Sequence, residues 1–437
     1  MGLNGTEQRA KLKAEHRRRE KQRAELPQVE PLPIWPEKVE GGRLVRQLER
    51  FVRELRDENP HGNQELFLDD VFLAYLLAFF NPSLRSLRTI EDFSQTKQAQ
   101  RHLSTRRICK STLSDFNKLA DPERLQPIIA ELRAALDSKF AGNSRPDGLY
   151  GLMKQVLAVD GTFFSAAADV AWSIGCRNQS ITRHKARIDV HVDVQTWLPE
   201  VIIVPEPGEG EPHSASCHVK AGAIHIYDRN YGSFELLAAH YETQGETLHA
   251  KADFVVRAKK KHLKFVVSQQ RTLTDEQLRR EIVSDCIGHL TGEKNKHAHD
   301  MLVREVVFMT AEGEPLRLIT NLLDLPVEVI MELYRHRWQI ELFFRWLKCY
   351  AHFDHLASHN RQGLLLNFYV VIIGVLLMYL HTGGRPSKYA LVLLGMVGQS
   401  GGSLESIMPI LRERERQCER DRKSAAKRRA RKKAEAK

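Results

Sequence analysis

YRHRWQIELFFRWLK, residues 334–348, is the stretch from which the rest of the chain is read. It holds neither Gly nor Pro and repeats apolar residues at helical spacing, which predicts a single helix. With Tyr334 as the origin and about 100° per residue, Arg337 falls near −60°, Glu341 near −20°, Lys348 near −40° and Arg345 near +20°. Ile340, Leu342, Phe343, Trp346 and Leu347 fill the other side. One face is therefore core, and the other carries a carboxylate among a phenol and three cations. A solvated polar face accounts for such a stripe as readily as a site does, so the stripe alone decides nothing.

Composition narrows the class. With 437 residues, 42% hydrophobic and 28% charged, the chain is long enough for two or three domains with a sizeable core. Six scattered cysteines (109, 176, 217, 286, 349, 418) read as free thiols of a reducing compartment. The Lys/Arg/Glu-rich N-terminus does not read as a secretory signal. The net charge of +11 is concentrated at the ends: residues 1–26 carry +4 and 412–437 carry +8, leaving residues 27–411 at −1. Such tails attract phosphate without sequence preference, and any nucleic-acid site in the middle must be a local patch.

Taken in order, residues 1–26 lack an apolar stripe, and Pro27, Pro31, Pro33 and Pro36 form a stiff linker. Residues 43–140 read as helices, among them LFLDDVFLAYLLAFF (66–80), which stops at Asn81-Pro82. Ser111 and Thr112, after Arg106, Arg107 and Lys110, resemble a cap followed by a short helix. Cations in such a helical unit suit backbone phosphates. Strand signals begin at 155: QVLAV leads into Asp160-Gly161-Thr162, HKARIDVHVDVQTW (184–197) alternates, LPEVIIVPEP is its hairpin partner, and AGAIHIY ends in Asp228. ADFVVRA (252–258) is a further strand, and 259–318 reads as a mostly β insertion. LLLNFYVVIIGVLLMYL (364–380) is the most apolar run; at 17 residues with Asn367 and Gly374 it reads as a buried core helix and not a membrane span. The tail from Arg412 reads as unfolded on its own.

Asp160 and Asp228 are each expected to end an apolar strand and precede a turn, and Glu341 sits on the helix. Carboxylates at strand C-termini point into the crevice where polar chemistry is housed. Three acids suffice for a pair of Mg²⁺ ions, which take hard oxygen ligands and can serve both the attacking and the leaving oxygen of a phosphoryl transfer. Two rival sets compete. Asp189, His191 and Asp193 share one face of a strand, which a solvent-facing row explains equally well. Cys286, His289, His297 and His299 mimic a zinc set.

The gaps Tyr334, two residues, Arg337, three residues, Glu341, six residues, Lys348, together with VDGTFF (159–164) and YDRNY (227–231), resemble the Tyr-Arg-Glu-Lys signature class of bacterial DDE-type insertion-sequence transposases, the insertion-sequence-four-like family. The resemblance covers roughly residues 65–380. It implies an α/β fold: a ribonuclease-H-like catalytic core with a β-rich insertion and an N-terminal helical DNA-binding domain. The implied division is an arm and linker at 1–36, an end-binding helical domain at 37–148, core at 149–258, insertion at 259–318, core at 319–385, and a C-terminal region with the basic tail at 386–437. Asp160, Asp228 and Glu341 would hold two Mg²⁺ ions, with Mn²⁺ as a substitute. Tyr334, Arg337, Arg345 and Lys348 would hold DNA phosphates, with Arg107 and Lys110 contacting DNA from the helical domain. The implied activity is cleavage at terminal inverted repeats and joining of the 3′-OH to target DNA. The partners would be double-stranded DNA and a second copy of the chain on that DNA, with no membrane, in the bacterial cytoplasm. A stand-alone nuclease and an inactive DNA-binding repressor are the alternatives. The sequence departs from the pattern in lacking a Trp between Asp228 and Arg337, where Phe265 or Phe308 would have to stack on a flipped base, and in having Asn230 where Gly is common.

Overall fold

The computed structural model describes residues 48, 51–55, 66–80, 84, 86–95, 103, 107–140, 152, 154–166, 174–178, 181–196, 198–206, 208–244, 247–259, 263–291, 301–310, 312–349 and 360–382, and scattered residues between 409 and 424. The basic arm, the Pro-rich linker, Arg106, His297 and His299 lie outside the described residues. The chain divides into two compact units, Asn143–Arg345 and a second formed by Met1–Gly142 with Trp346–Lys437. The stretch expected as one core segment at 319–385 is therefore shared between them.

The helical unit contains α1 (Leu68–Phe80), α2 (Leu87–Ser94), α3 (Lys110–Leu119) and α4 (Gln126–Phe140), the last preceded by a 3₁₀ turn at Pro122–Leu125. α1 stops before Pro82, as a residue preceding proline disfavours the helical region. α2 opens with a capping box in which Ser86 and Thr89 satisfy one another's backbone N–H groups. α3 starts at Lys110, before the expected cap. Its first flanking residue is Cys109, which makes no side-chain cap, and Ser111 and Thr112 lie inside the first turn. The apolar run at 364–380 becomes the long helix α10 (Arg361–Thr382), which packs on α1 and α4. Gly374 permits this closeness, because a Cβ there would lie 2.4 Å from the Phe79 ring. Tyr369 of α10 donates to Glu123 (3.0 Å) and accepts from Gln126 (2.8 Å), joining the helix to the start of α4. Among the described residues no helix is long and apolar enough to cross a membrane. The described residues between 409 and 424 are helical and exposed, which corrects the expectation of an unfolded tail. Arg416 and Arg420 both reach Glu413, and Gln417 reaches Asp421, so side-chain pairs along one helical face support it.

The other unit is built on a sheet. Its strands are β1 (Val156–Ala166), β2 (Ile174–Asn178), β3 (Ile181–Asp193), β4 (Pro199–Ile203), β5 (Ile224–Tyr227), β6 (Tyr241–Gln244), β7 (Thr247–Ala250), β8 (Asp253–Ala258), β9 (Lys264–Gln270), β10 (Ile282–Thr291), β11 (Leu302–Met309) and β12 (Pro315–Thr320). They order as β2-β3-β1-β5-β8-β12-β11-β10-β9, with β4 also paired to β3, while β6 and β7 form a separate hairpin. β1, β5 and β8 are parallel neighbours, and the remaining pairs are antiparallel. The strands expected of 259–318 are present and extend this same sheet through β12. Short helices α5 (Glu211–Ser216), α6 (Phe234–Ala238) and α7 (Asp275–Arg279) interrupt the strands, and α8 (Val327–Arg335) and α9 (Trp338–Cys349) follow them.

Residues 334–348 do not form one helix. α8 ends at Arg335, His336 and Arg337 form a turn, and α9 begins at Trp338. Arg337 N–H bonds to Tyr334 O, Gln339 N–H to His336 O and Ile340 N–H to Arg337 O, all three-residue steps that tighten the chain and rotate α9 away from the angles of a continuous helix. No Gly or Pro marks the break.

The Asp189, His191, Asp193 row is buried and not solvent-facing. Asp189 is ion-paired with Arg187 at 2.9 Å, and Asp193 accepts from the Gln155 side chain at 2.7 Å. His191 packs edge-on against His225, which packs edge-on against His240. Burial pushes the His191 pKa down to about 3 and the His240 pKa down to about 4, and drives His225 well below its usual value. Both ring nitrogens of His191 are buried without a hydrogen-bond partner. Each folded pKa lies below the unfolded value of about 6.5, so protonation favours the unfolded chain. Stability is full above about pH 6.5 and falls as the pH drops toward 4. The expected slope is about 1.4 kcal/mol per pH unit for each buried histidine. Urea unfolding between pH 7 and pH 5 checks this: His191→Leu is expected to flatten the loss by about one histidine's share, and an unchanged pH slope contradicts it.

Candidate active site

The register of the three parallel strands places the polar residues. Val159 lies opposite Tyr227, and Tyr227 lies opposite Val256. The next residue on each strand is Asp160, Asp228 and Arg257, so two acids and a cation form one row at the C-terminal edge of the parallel pairs. β5 ends before Asp228, as expected from the sequence. β1 does not end at Asp160; it runs on to Ala166, because its other edge stays paired with β3. Asp160 faces Val190 across that pair and Gly161 faces Asp189. Paired residues share a face and neighbours alternate, so Asp189 points to the opposite side of the sheet from Asp160. Glu211 nevertheless links the two sets, since it crowds Gly161 together with Asp189 and its charge reaches Asp160 and Asp228.

Asp160 is half-buried and its oxygen accepts from Gly161 N–H at 2.9 Å. Burial pushes its pKa up to about 7; the charges of Glu211 and Asp228 add to this, while the Gly161 bond and Arg337 oppose it. Gly161 has no room for a side chain: a Cβ would lie 2.7 Å from Asp189 Oδ1 and 2.8 Å from Glu211 Oε1. Asp228 caps the 3₁₀ turn Arg229–Tyr231 through its backbone, with Tyr231 N–H bonded to its carbonyl at 3.0 Å.

The turn between α8 and α9 supplies the remaining groups. Arg337 Nη2 is 2.6 Å from Glu341 Oε1, a one-turn ion pair. The Arg337 guanidinium lies 6.0 Å from the Tyr334 ring centroid. Burial works against the Arg337 charge, but the bond to Glu341 and the nearby Tyr334 and Asp228 outweigh it and hold its pKa above the usual value. Burial raises the Tyr334 pKa, and Asp228 adds to that while Arg337 and Arg257 oppose it. Arg337 is thus coupled by charge to Glu341, Tyr334, Asp228 and Asp160, and Arg257 to Tyr334. Arg345 is exposed on α9, and Lys348, half-buried in its last turn, belongs to the helical unit. In that unit Arg107 is engaged by Glu91, with Nη2 to Oε1 at 2.6 Å, and Lys110 is exposed at the start of α3. Cys286 and His289 of the zinc-like set lie three residues apart on β10, an odd spacing that sends ordinary strand neighbours to opposite faces.

Two residues were missed from sequence. Arg257 is the one cation inside the apolar run DFVVRA, a signal that was present but unread. Glu211, in GEGEPH, carries no local signal, and only the fold brings it beside Asp160. The hard oxygens of Asp160 and Asp228, side by side and with the Asp160 pKa raised, suit a divalent cation. Glu341 is held by Arg337, and among the described residues no three His, Cys, Asp or Glu side chains are gathered closely enough to hold one ion.

Against known proteins, the transposase DDE domain family matches residues 151–377. A Sinorhizobium fredii protein named as a transposase, y4zB, is 29% identical over 160 residues, covering 37% of this chain and 43% of the relative, so the match spans less than half that relative's length. A Synechocystis protein named as a transposase for insertion sequence element IS4SA is 22% identical over 284 residues, 62% of this chain and 71% of the relative. A cryo-EM structure of a piggyBac transposase synaptic complex with hairpin DNA aligns with 82% of this chain and 76% of its own at 10% identity, with a TM-score of 0.40 that is too low to argue from.

The charge coupling at Asp160 has a measurable consequence. Glu211→Gln removes a like charge, so the Asp160 midpoint is expected to fall from about 7 by up to about one unit. A carboxyl ¹³C NMR titration reads it, and a midpoint that stays or rises contradicts the arrangement.

Proposed function

Because the chain belongs to the transposase DDE domain family, we propose that it is an insertion-sequence transposase that cuts the ends of its own element with Mg²⁺ and joins the freed 3′-OH to target DNA. The observation that carries this reading is the row Asp160, Asp228, Arg257, with Arg337 acting on both acids and paired to Glu341. An antiparallel β4-β3-β1 group continued by the parallel strands β5 and β8 supports a ribonuclease-H-like core.

Asp160, Asp228 and Glu341 would hold the metal, two ions in the reading adopted here. When bound, Mg²⁺ supplies charge neutralisation at the phosphate and at the attacking and leaving oxygens. In cleavage, water oxygen bonds to phosphorus and the 3′ oxygen departs as a hydroxyl. In joining, that hydroxyl attacks a target phosphorus and the target's own 3′ oxygen departs. The chain's residues do the placing. Arg337 holds Glu341 through one nitrogen, and with Glu341 as a metal ligand its planar fork would be free to meet a phosphate. Arg257 stands in the row of acids as a second cation for the same strand, and Tyr334 lines the turn with its ring. Lys348, Arg345, Arg107 and Lys110 are assigned to phosphate contacts elsewhere on double-stranded DNA, with the helical unit binding the inverted-repeat ends. Two copies acting on paired ends in the bacterial cytoplasm complete the reading.

Asp160→Asn, Asp228→Asn and Glu341→Gln are each expected to lower Mg²⁺-dependent end cleavage by roughly a thousandfold or more, several kcal/mol of transition-state stabilisation, with unchanged circular dichroism and end binding. Near wild-type cleavage by any one of them removes that residue from the site. Arg337→Lys keeps the charge and loses the fork, so it is expected to cost about 1–3 kcal/mol in end-complex formation. Gel-shift titrations with pre-cleaved and uncleaved ends measure this, and wild-type affinity on both removes Arg337 from the phosphate contacts.

A further inference from the structure

α8 begins without a side-chain cap. Its first flanking residue is Pro326, which has no N–H and makes no capping bond. A helix start of this kind must be located by something else, and the structure shows what. Arg304 of β11 is 1% exposed and Asp285 of β10 is 4% exposed. They meet through two parallel bonds, Nε to Oδ1 at 2.7 Å and Nη2 to Oδ2 at 2.6 Å. The remaining nitrogen, Nη1, donates to the carbonyls of Leu323, at 3.0 Å, and Leu325. Arg271 adds a second donor to Leu323 O at 2.7 Å, and its own backbone N–H bonds to Asp285 O. The other end of this loop is fixed by Asn321, which accepts from Phe254 N–H at 2.9 Å and donates to Ala252 O at 3.0 Å, at the base of the strand that carries Arg257. The loop is thus clamped at both ends, its far end by the buried Arg304 with Arg271 beside it, and Gln277 of α7 bonds Glu328 in the first turn of α8.

We propose that Arg304 is a positioning residue for the site: through Asp285 and the Leu323 and Leu325 carbonyls, the added strands β10 and β11 set where α8 starts, and so where Arg337 and Glu341 stand relative to Asp160 and Asp228. A buried ion pair is weak evidence for stability, since apolar residues of similar volume often replace both partners at little cost. The carbonyl bonds are what an apolar pair cannot reproduce. A planar fork meets the carboxylate and both carbonyls at once, whereas a lysine ammonium cannot span them. The inference rests on the metal-dependent cleavage proposed above only for its catalytic readout.

The test uses the full chain with Asp285→Leu and Arg304→Met together, and Arg304→Lys alone. Thermal unfolding of the double variant is expected to stay within a few degrees of wild type. Hydrogen exchange by mass spectrometry is expected to be about tenfold faster or more over residues 327–341, the scale of one lost charge-assisted hydrogen bond, and unchanged in β1 and β5. At saturating end DNA, the Mg²⁺ concentration for half-maximal cleavage is expected to rise several-fold, and the affinity for end DNA is expected to fall with the displaced Arg337. Should the double variant not fold, Arg304→Lys, which keeps a charge opposite Asp285, carries the same comparison. Wild-type exchange over 327–341 in a folded variant overturns the proposal, and so does equal acceleration in β1 and β5. If the wild-type chain cleaves nothing with Mg²⁺, the transposase reading fails while the exchange result still decides the role of Arg304.

Discussion

Parallel register across β1, β5 and β8 is the constraint on which the site depends. Once Val159, Tyr227 and Val256 are level, the next residue on each strand falls in one row without further specification. Parallel strands buried on both faces require near-continuous apolar sequence, and VLAV, IHIY and DFVV supply it. The acids of the row then stand where the apolar run stops or, for Asp160, where pairing on one edge lapses while the other continues, and the polar His225 within β5 is buried. A one-residue slip in β5 would carry Asp228 out of the row and His225 away from His191 and His240.

That arrangement concentrates like charge in a partly dry place. Burial and the neighbouring Glu211 and Asp228 carboxylates press Asp160 toward its neutral form, and Arg337 presses back. The site is electrostatically unfinished in the sense that one cation, Arg337, serves Glu341 while also facing Asp228 and Tyr334. A dication brought there would meet Asp160 and Asp228 on neighbouring strands, while Glu341 would first have to leave Arg337.

The extended sheet gives the strands of 259–318 a structural task. They continue from β8 through β12, and Arg304 of β11 reaches the loop before α8. The cost is a buried ion pair, whose removal on one side alone would leave an uncompensated charge. The opposite face of the sheet uses different means: Arg187 pairs with Asp189, and the three histidines stay neutral against aromatic neighbours.

Local pattern by itself determined much of this protein. The alternation in HKARIDVHVD, the apolar runs before Asp160 and Asp228, the stop at Asn81-Pro82 and the buried character of 364–380 follow from period, propensity and proline chemistry, which act within a few residues. The residue spacing around Tyr334, Arg337, Glu341 and Lys348 also pointed to the family whose model matches residues 151–377. What only the tertiary structure decided are the relations that depend on distant partners. The break after Arg335 has no Gly or Pro to announce it. The burial of the Asp189 row depends on which elements cover that face of β3. Arg257 acquires meaning only from Asp228 and Asp160 of its row, which lie on strands earlier in the sequence, and Arg304 only from the loop it holds. The division at Arg345 likewise separates Lys348 from the segment it follows in sequence. The physical reason is common to all of them: periodicity tells a residue which face it takes, while register and packing decide what meets it there.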